Sequence, residues 1–180
     1  MSKQRLLAWG AKVDEAFRAR VLLMATRLGC DASHLMACMA FETGGRFSPS
    51  IRNFAGSGAT GLIQFMPQTA AALGTSTEAL SKMSAVDQLS VVESYFWPRR
   101  GKLKSLSDVY MAILWPAAVG KPEDFVLFDK RDARFPKRYV QNAGLDLDRN
   151  GKITKGEATE KVQLCLERGL RLHATTYFTN

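Results

Sequence analysis

Apolar positions recur along most of the chain at helical spacing. From about Ala11 to Leu28, the residues Val13, Phe17, Val21, Met24 and Leu28 return every three or four positions, the repeat of an amphipathic helix lying on a core. Gly29 and Cys30 close that helix, and Asp31 or Ser33 is placed to cap the next. In the next, Leu35, Cys38, Met39 and Glu42 fall at i, i+3, i+4 and i+7, so a carboxylate ends an otherwise apolar stripe. Gly44 and Gly45 follow as a helix stop. The pattern then breaks as far as Met66, where Gly56, Gly58 and Gly61 join Pro49 and Asn53 in a loop with room for a short hairpin. Pro67 opens a helix at the position where its missing N–H costs nothing, and Gly74 ends it. Three more helices are predicted. One runs from about Ser84 to Tyr95, with Val86, Leu89, Val92 (or Val91) and Phe96 inward, and stops at Pro98. Another starts at a Ser105 or Ser107 cap and carries Val109, Ile113 and Leu114 to Pro116. The last spans about Thr154 to Leu172 and buries Val162, Leu166 and Leu170, with Cys165 beside them. Asp124 to Asp132 reads as irregular, and strands do not alternate with helices, so the fold class is mainly α.

Glu42 carries the first chemical expectation. Burial at the end of an apolar stripe disfavours its charged form, and the negative end of the helix disfavours it further. Both effects move its pKa toward the range of a general acid near neutrality. Against this stands an ordinary surface glutamate at a frayed helix end.

Two loops match ligand-binding patterns. Gly56-Ser-Gly58-Ala-Thr-Gly61 spells a dinucleotide fingerprint, but no apolar strand precedes it and no βαβ unit surrounds it. Its glycines are better suited to letting backbone approach a bulky ligand. Asp146-Leu-Asp148-Arg-Asn150-Gly151-Lys152-Ile153-Thr154-Lys-Gly-Glu157 is more specific. Asp146, Asp148, Asn150 and Glu157 take the side-chain positions of an EF-hand calcium loop, Gly151 its sharp turn, and Lys152 its carbonyl ligand. Thr154 is placed to ligate directly or through water, and Ile153 is the apolar anchor. A single loop of this kind predicts a structural Ca2+ rather than a sensor.

Composition narrows the class. The chain has 180 residues, 46% apolar and 23% charged, which is the composition of one globular domain spanning 1–180. No stretch is long enough for a membrane span, and the N-terminal residues carry no apolar run or cleavage site of a signal peptide. Three cysteines without framework spacing predict synthesis in a reducing cytoplasm. A net charge of +8 attracts nucleic acid, anionic lipid or an acidic wall polymer. Lys3, Arg5, Lys12, Arg18, Arg20 and Arg27 are scattered, and Arg99, Arg100, Lys102 and Lys104 form one short cluster without interleaved aromatics, which argues against nucleic acid. His34 and His173 lack the neighbours of a metal site, and Cys38 reads as a small core residue.

Glu42-Thr-Gly-Gly-Arg-Phe47-Ser-Pro49, followed by Gly58-Ala-Thr-Gly61-Leu62-Ile63-Gln64-Phe65-Met66-Pro67-Gln-Thr69-Ala70, resembles the soluble lytic transglycosylase domain of the goose-type lysozyme-like fold, over about residues 20 to 120. Similar domains occur in phage lysins and virion proteins, and some lytic transglycosylases carry an inserted EF-hand-like loop. The resemblance implies a helical fold with a small loop or hairpin region at the active site. Glu42 is then the catalytic acid and base, Gln64 a sugar contact, and Thr43 the hydroxyl standing where the family has serine. Where the family has Tyr-Asn-Ala-Gly, this chain has Trp115-Pro116-Ala117-Ala118, so Trp115 offers a stacking face without the hydroxyl, and Tyr110 or Tyr139 is left to supply one. The implied activity is cleavage of the MurNAc–GlcNAc bond of peptidoglycan with 1,6-anhydro ends, by a monomer made in the cytoplasm and acting on the cell wall. Two alternatives stay open. One is a hydrolytic muramidase, which needs a second carboxylate from Asp129, Asp132 or Glu93. The other is a non-catalytic, calcium-stabilised wall-binding module.

Overall fold

The computed structural model describes residues 4–53 and 56–179; of the basic N-terminal positions, Lys3 lies outside them. Strand β1 (Gln4–Leu7) opens the chain, and a 3-10 turn at Gly10–Lys12 separates it from helix α1 (Glu15–Leu28). That helix starts later than its apolar repeat predicts. The Asp14 carboxylate accepts the Phe17 N–H and fixes the start, and Val13 is left half-buried outside it. Helix α2 (Ala32–Thr43) is capped by Asp31, which accepts the Ser33 N–H at 2.7 Å, and ends at Gly44 and Gly45, both with left-handed φ. Leu35 through Ala40 are all buried, so α2 is apolar around its whole circumference and packs on α1 and on two later helices.

Beyond the 44–66 loop come α3 (Pro67–Ala72), α4 (Thr77–Lys82), α5 (Ala85–Phe96, capped by Ser84) and α6 (Leu106–Leu114, capped by Ser105). Among its described residues the loop holds isolated bridges, Arg52 to Thr60 and Thr60 to Phe65. Residues expected to be irregular contain strand β2 (Val126–Asp129), then α7 (Pro136–Asn142) follows, and strand β3 (Lys152–Thr154) pairs antiparallel with β2. Helix α8 (Lys155–Gly169) has the capping box of Thr154 and Glu157 at its start. It stops three residues short of the predicted end, which leaves Leu170 exposed rather than in the core, while Leu166, still within the helix, is half-buried against the core. Strand β4 (Thr176–Thr179) returns to pair antiparallel with β1. The protein is mainly helical, with eight α-helices and two two-stranded sheets among the described residues. Helix α2 lies against α1, α6 and α8, and one continuous apolar cluster runs from Leu7 to Cys165.

Trp9 holds the chain start to this core. Its backbone N–H donates to the Gly169 carbonyl at 2.9 Å and its indole N–H to the Cys165 carbonyl at 3.0 Å, with the ring close against Gly169. A β-carbon on Gly169 would come within 2.2 Å of that ring. The indole is fixed at both ends and has nowhere to retreat. Gly169→Ala is therefore expected to destabilise the fold by about 1–3 kcal/mol through overpacking. A lowered melting temperature checks this, and an unchanged melt would mean that Trp9 is not fixed as described.

Candidate active site and metal loop

Glu42 occupies the last turn of α2, half-buried, where the helix leaves the core. It accepts no hydrogen bond and forms no ion pair among the described residues. Burial alone pushes its pKa up from 4.5 to about 7. Three side chains share its electrostatic surroundings: Cys38 one turn earlier on α2, Tyr95 on α5 and Tyr110 on α6. The Cys38 thiol is fully buried and held well above its ordinary value, which makes it an inert core residue. The Tyr95 hydroxyl donates to the Ala112 carbonyl at 2.6 Å. The Tyr110 hydroxyl has no partner among the described residues, and burial together with Glu42 raises its pKa. Tyr110 stands edge-on to Phe41 at 5.7 Å, which fixes its ring beside the end of α2. Of the two tyrosines open at the sequence level, Tyr110 is the one at Glu42. Tyr139 instead donates its hydroxyl to Asp146 in the metal loop.

Gln64 has a left-handed backbone (φ 53°), and its Nε2 donates to the carbonyls of Ile51 at 3.2 Å and Gly61 at 3.0 Å. The side-chain amide thus shapes the loop, and its Oε1 remains as an acceptor. With Thr69, Tyr95 and Ile113 it lines a cavity of about 50 Å³, and Tyr95 joins that cavity to the surroundings of Glu42.

Two predicted substrate contacts are corrected. Thr43 is fully buried; its hydroxyl donates to the Met39 carbonyl at 2.7 Å and accepts the Phe47 N–H at 3.0 Å, so it clamps the turn after α2 and presents no surface to a ligand. Trp115 is half-buried with its edge against Phe128 at 5.2 Å and the Arg138 guanidinium over its ring at 4.9 Å. The stacking face expected of it is taken by Arg138. None of the three carboxylates proposed as a hydrolase's second acid lies with Glu42. Glu93 is held between Arg20 and Arg27 at 2.8 and 3.0 Å, Asp129 pairs with Arg131, and Asp132 with Arg134.

Sequence reasoning missed Gln88, a buried polar side chain on α5. Its Oε1 accepts the Leu62 N–H at 2.7 Å, and its Nε2 donates to Pro49 at 3.0 Å and Leu80 at 2.9 Å. The whole glycine loop is thereby fastened to α5 and to the end of α4. Gly61 is glycine for this reason: φ is 88°, and a β-carbon would lie 2.3 Å from the Gln88 amide. The close approach is made by Gln88 and not, as its spacing suggested, by a ligand. Gln88 lies between Ala85 and Val92 on one helical face, and a polar residue on that stripe was the available signal.

In the second loop Asp146, Asp148 and Glu157 bring ligand atoms within 4.8 Å of one another, an arrangement that can hold a metal ion. Asp146 accepts the N–H groups of Asn150 at 3.1 Å and Gly151 at 3.0 Å, and Asp148 accepts the Asn150 side-chain amide at 2.7 Å. Asn150 Oδ1 accepts the Lys152 N–H at 2.8 Å, so both residues lie on the same loop as the cluster. Arg149 and Gly151 take the left-handed turns (φ 59° and 85°) that curl the chain around the site. One oxygen of Glu157 accepts the Thr154 N–H at 2.9 Å and hydroxyl at 2.8 Å, while the other is buried without a partner. A buried carboxylate oxygen lacking a donor fits a cation. Thr154 spends its hydroxyl on the helix cap rather than on the site.

No protein-family profile matches the chain, and no curated protein matches it in sequence.

The raised pKa of Glu42 has a stability consequence. The folded chain holds this proton more tightly than the unfolded one. The contribution favours folding below about pH 4.5, is lost as pH rises through about 7, and leaves a charge penalty above that of at most roughly 3 kcal/mol. Glu42→Gln is expected to melt above the wild type at alkaline pH and close to it under acid conditions. A melting difference that stays constant across that range would remove the desolvated charge from the account.

Proposed function

We propose that this chain is a glycosidase working with one carboxylic acid. More particularly, it is a peptidoglycan lytic transglycosylase of the lysozyme-like fold that cleaves the MurNAc–GlcNAc β-1,4 bond. The observation that carries this reading is Glu42 itself: a half-buried acid whose pKa lies near 7, with, among the described residues, no other carboxylate acting on it and an unpaired tyrosine hydroxyl in its surroundings. Glycosidases with two carboxylates divide acid and nucleophile or base between them. A lone acid has to do both in turn. Protonated Glu42 gives its proton to the glycosidic oxygen as the bond to the muramic C1 breaks, while the sugar's own acetamido group stabilises C1. The Glu42 carboxylate then takes the proton of the 6-hydroxyl as that oxygen closes on C1. The 1,6-anhydro ring forms and the acid is restored without water. Tyr110 supplies the hydroxyl that the Trp115-Pro116 sequence lacks, and Gln64 Oε1 offers an acceptor on the glycine-loop side. No helix among the described residues is long and apolar enough to cross a membrane. The net charge of +8 suits a protein acting on an anionic wall.

The metal in the second loop is proposed to be Ca2+, because three carboxylates and a backbone carbonyl on a Gly-turned loop suit a large oxygen-seeking cation. Asp146, Asp148, Asn150, Lys152 through its carbonyl, and Glu157 would hold it. Neutralising the crowded carboxylates is what it would supply, with no part in the bond cleavage.

Clearing of purified sacculi tests the reaction. Glu42→Gln is expected to lose roughly 100- to 10,000-fold in rate, the scale of an absent general acid. Tyr110→Phe is expected to lose about 100-fold, the scale of one transition-state donor. Soluble fragments should carry anhydro ends by mass spectrometry; reducing ends would replace the transglycosylase with a hydrolase, and equal clearing by Glu42→Gln would end the proposal. For the metal, calcium at 100 times its Kd should add about 2.7 kcal/mol to folding stability. A chelator should reverse the gain, and Asp146→Ala should abolish the response.

A further inference from the structure

We propose that the exposed face of α8 is a subsite for the acidic peptide stem carried by the glycan strand. This rests on the peptidoglycan reading of Glu42 and extends it from the sugar to its substituent. Lys161, Leu164 and Arg168 lie at i, i+3 and i+7 on α8, and Arg171 continues the same line just past the helix end. With Phe41 and Glu167 they line a groove of about 460 Å³.

The charges in this groove are not balanced by the protein. Some exposed arginines elsewhere find carboxylates, as Arg131 does in Asp129, Arg134 in Asp132 and Arg27 in Glu93, while Arg46, Arg100 and Arg149, on other parts of the surface, have none among the described residues. Lys161, Arg168 and Arg171 have no carboxylate partner among the described residues. The one acid in the groove, Glu167, accepts the Gln163 amide at 3.1 Å. Cations near the end of a helix offset its negative pole, but that pole amounts to about half a charge and does not account for three of them. Leu164, 51% exposed, and half-buried Phe41 add apolar surface between the cations. The ligand that complements such a groove is an extended chain with several carboxylates and short aliphatic side chains. A peptide stem has that chemistry.

The position agrees with the reaction. Phe41 is the residue before Glu42, and its ring stands edge-on to Tyr110, so the groove begins where the surroundings of the acid end. A muramic residue held at Glu42 has its peptide leaving from the same sugar. The cations of α8 would take the stem carboxylates while Phe41 and Leu164 pack on its side chains. Cleavage would then favour strands that still carry their peptides.

The test compares two substrates: glycan strands bearing stems, and the same strands stripped of them by an amidase. The variant replaces Lys161, Arg168 and Arg171 together with alanine at exposed positions, and a Lys161→Ala/Arg171→Ala pair spares the hydrogen bond of Arg168 to Cys165 should the triple variant melt lower. The variant's KM for stem-bearing strands is expected to rise about tenfold, the scale of losing charge-assisted hydrogen bonds. Its kcat/KM on stripped strands should match the wild type, and added salt should raise the wild-type KM for stem-bearing strands only. Equal losses on both substrates, or none on either, would overturn the subsite while leaving Glu42 in place. If the wild type cleaves neither substrate, the peptidoglycan reading fails and the subsite goes with it.

Discussion

A helix that is apolar on every side must be enclosed on every side, and that constraint on α2 orders the rest of the fold. Leu35 through Ala40 present no face that water can take. Three other helices have to surround it: α1 and α8 from the two ends of the chain, and α6 from the middle. The enclosure stops where the helix stops, at two glycines in left-handed conformation. The first ionisable side chain on the far end of the sheath is Glu42. Its depth is therefore set by how far α2 remains covered, and its raised pKa follows from burial rather than from any designed charge pair.

Buried polar groups fix how the pieces around that exit are aligned. The Gln88 amide fastens the glycine loop to α5 through two hydrogen bonds and α4 to α5 through a third, an alignment that apolar packing alone would leave free to slide. On the other side, Lys155 at the start of α8 is buried against Asp108 of α6 at 2.6 Å and also donates to the Lys121 carbonyl. Asp108 accepts the Gly120 N–H as well, which ties the segment after α6 back to its first turn. Such a pair contributes little net stability, yet leaving either charge alone would be costly, so the register of α8 on α6 is fixed. Trp115 completes the tie, gripped by Phe128 of β2 and Arg138 of α7. The helix that carries Tyr110 is thus held by the same segments that frame the metal loop.

What could be read from the sequence was what short-range chemistry decides. The caps at Asp31 (or Ser33) and Ser105 (or Ser107), the helix start near Ser84, the Pro67 start, the glycine stop after α2 and the oxygen positions of the metal loop all depend on residues within a dozen positions of each other. The upward shift of Glu42 was legible from the apolar stripe. The short strands were not, because β1 finds its partner some 170 residues away and four residues without strong alternation do not announce a strand. Side-chain roles at the site were read least well. Thr43 and Trp115 were expected at the ligand because they stand where the resembled family has its serine and tyrosine, but burial and a covering guanidinium commit them to structure. Gln88 passed unnoticed because the helix repeat was read only for its apolar members.

In an EF-hand the short strand inside the loop is an open edge, usually satisfied by the same strand of a second loop. Here β3 is mated to β2, a strand of the same chain that holds no site of its own. Among the described residues the loop has no sister to which occupancy can be passed. Cation uptake by such a loop follows a simple hyperbola, without the threshold that a coupled pair produces. A cation held there would act as a local brace between β3 and the start of α8, its occupancy following the free concentration.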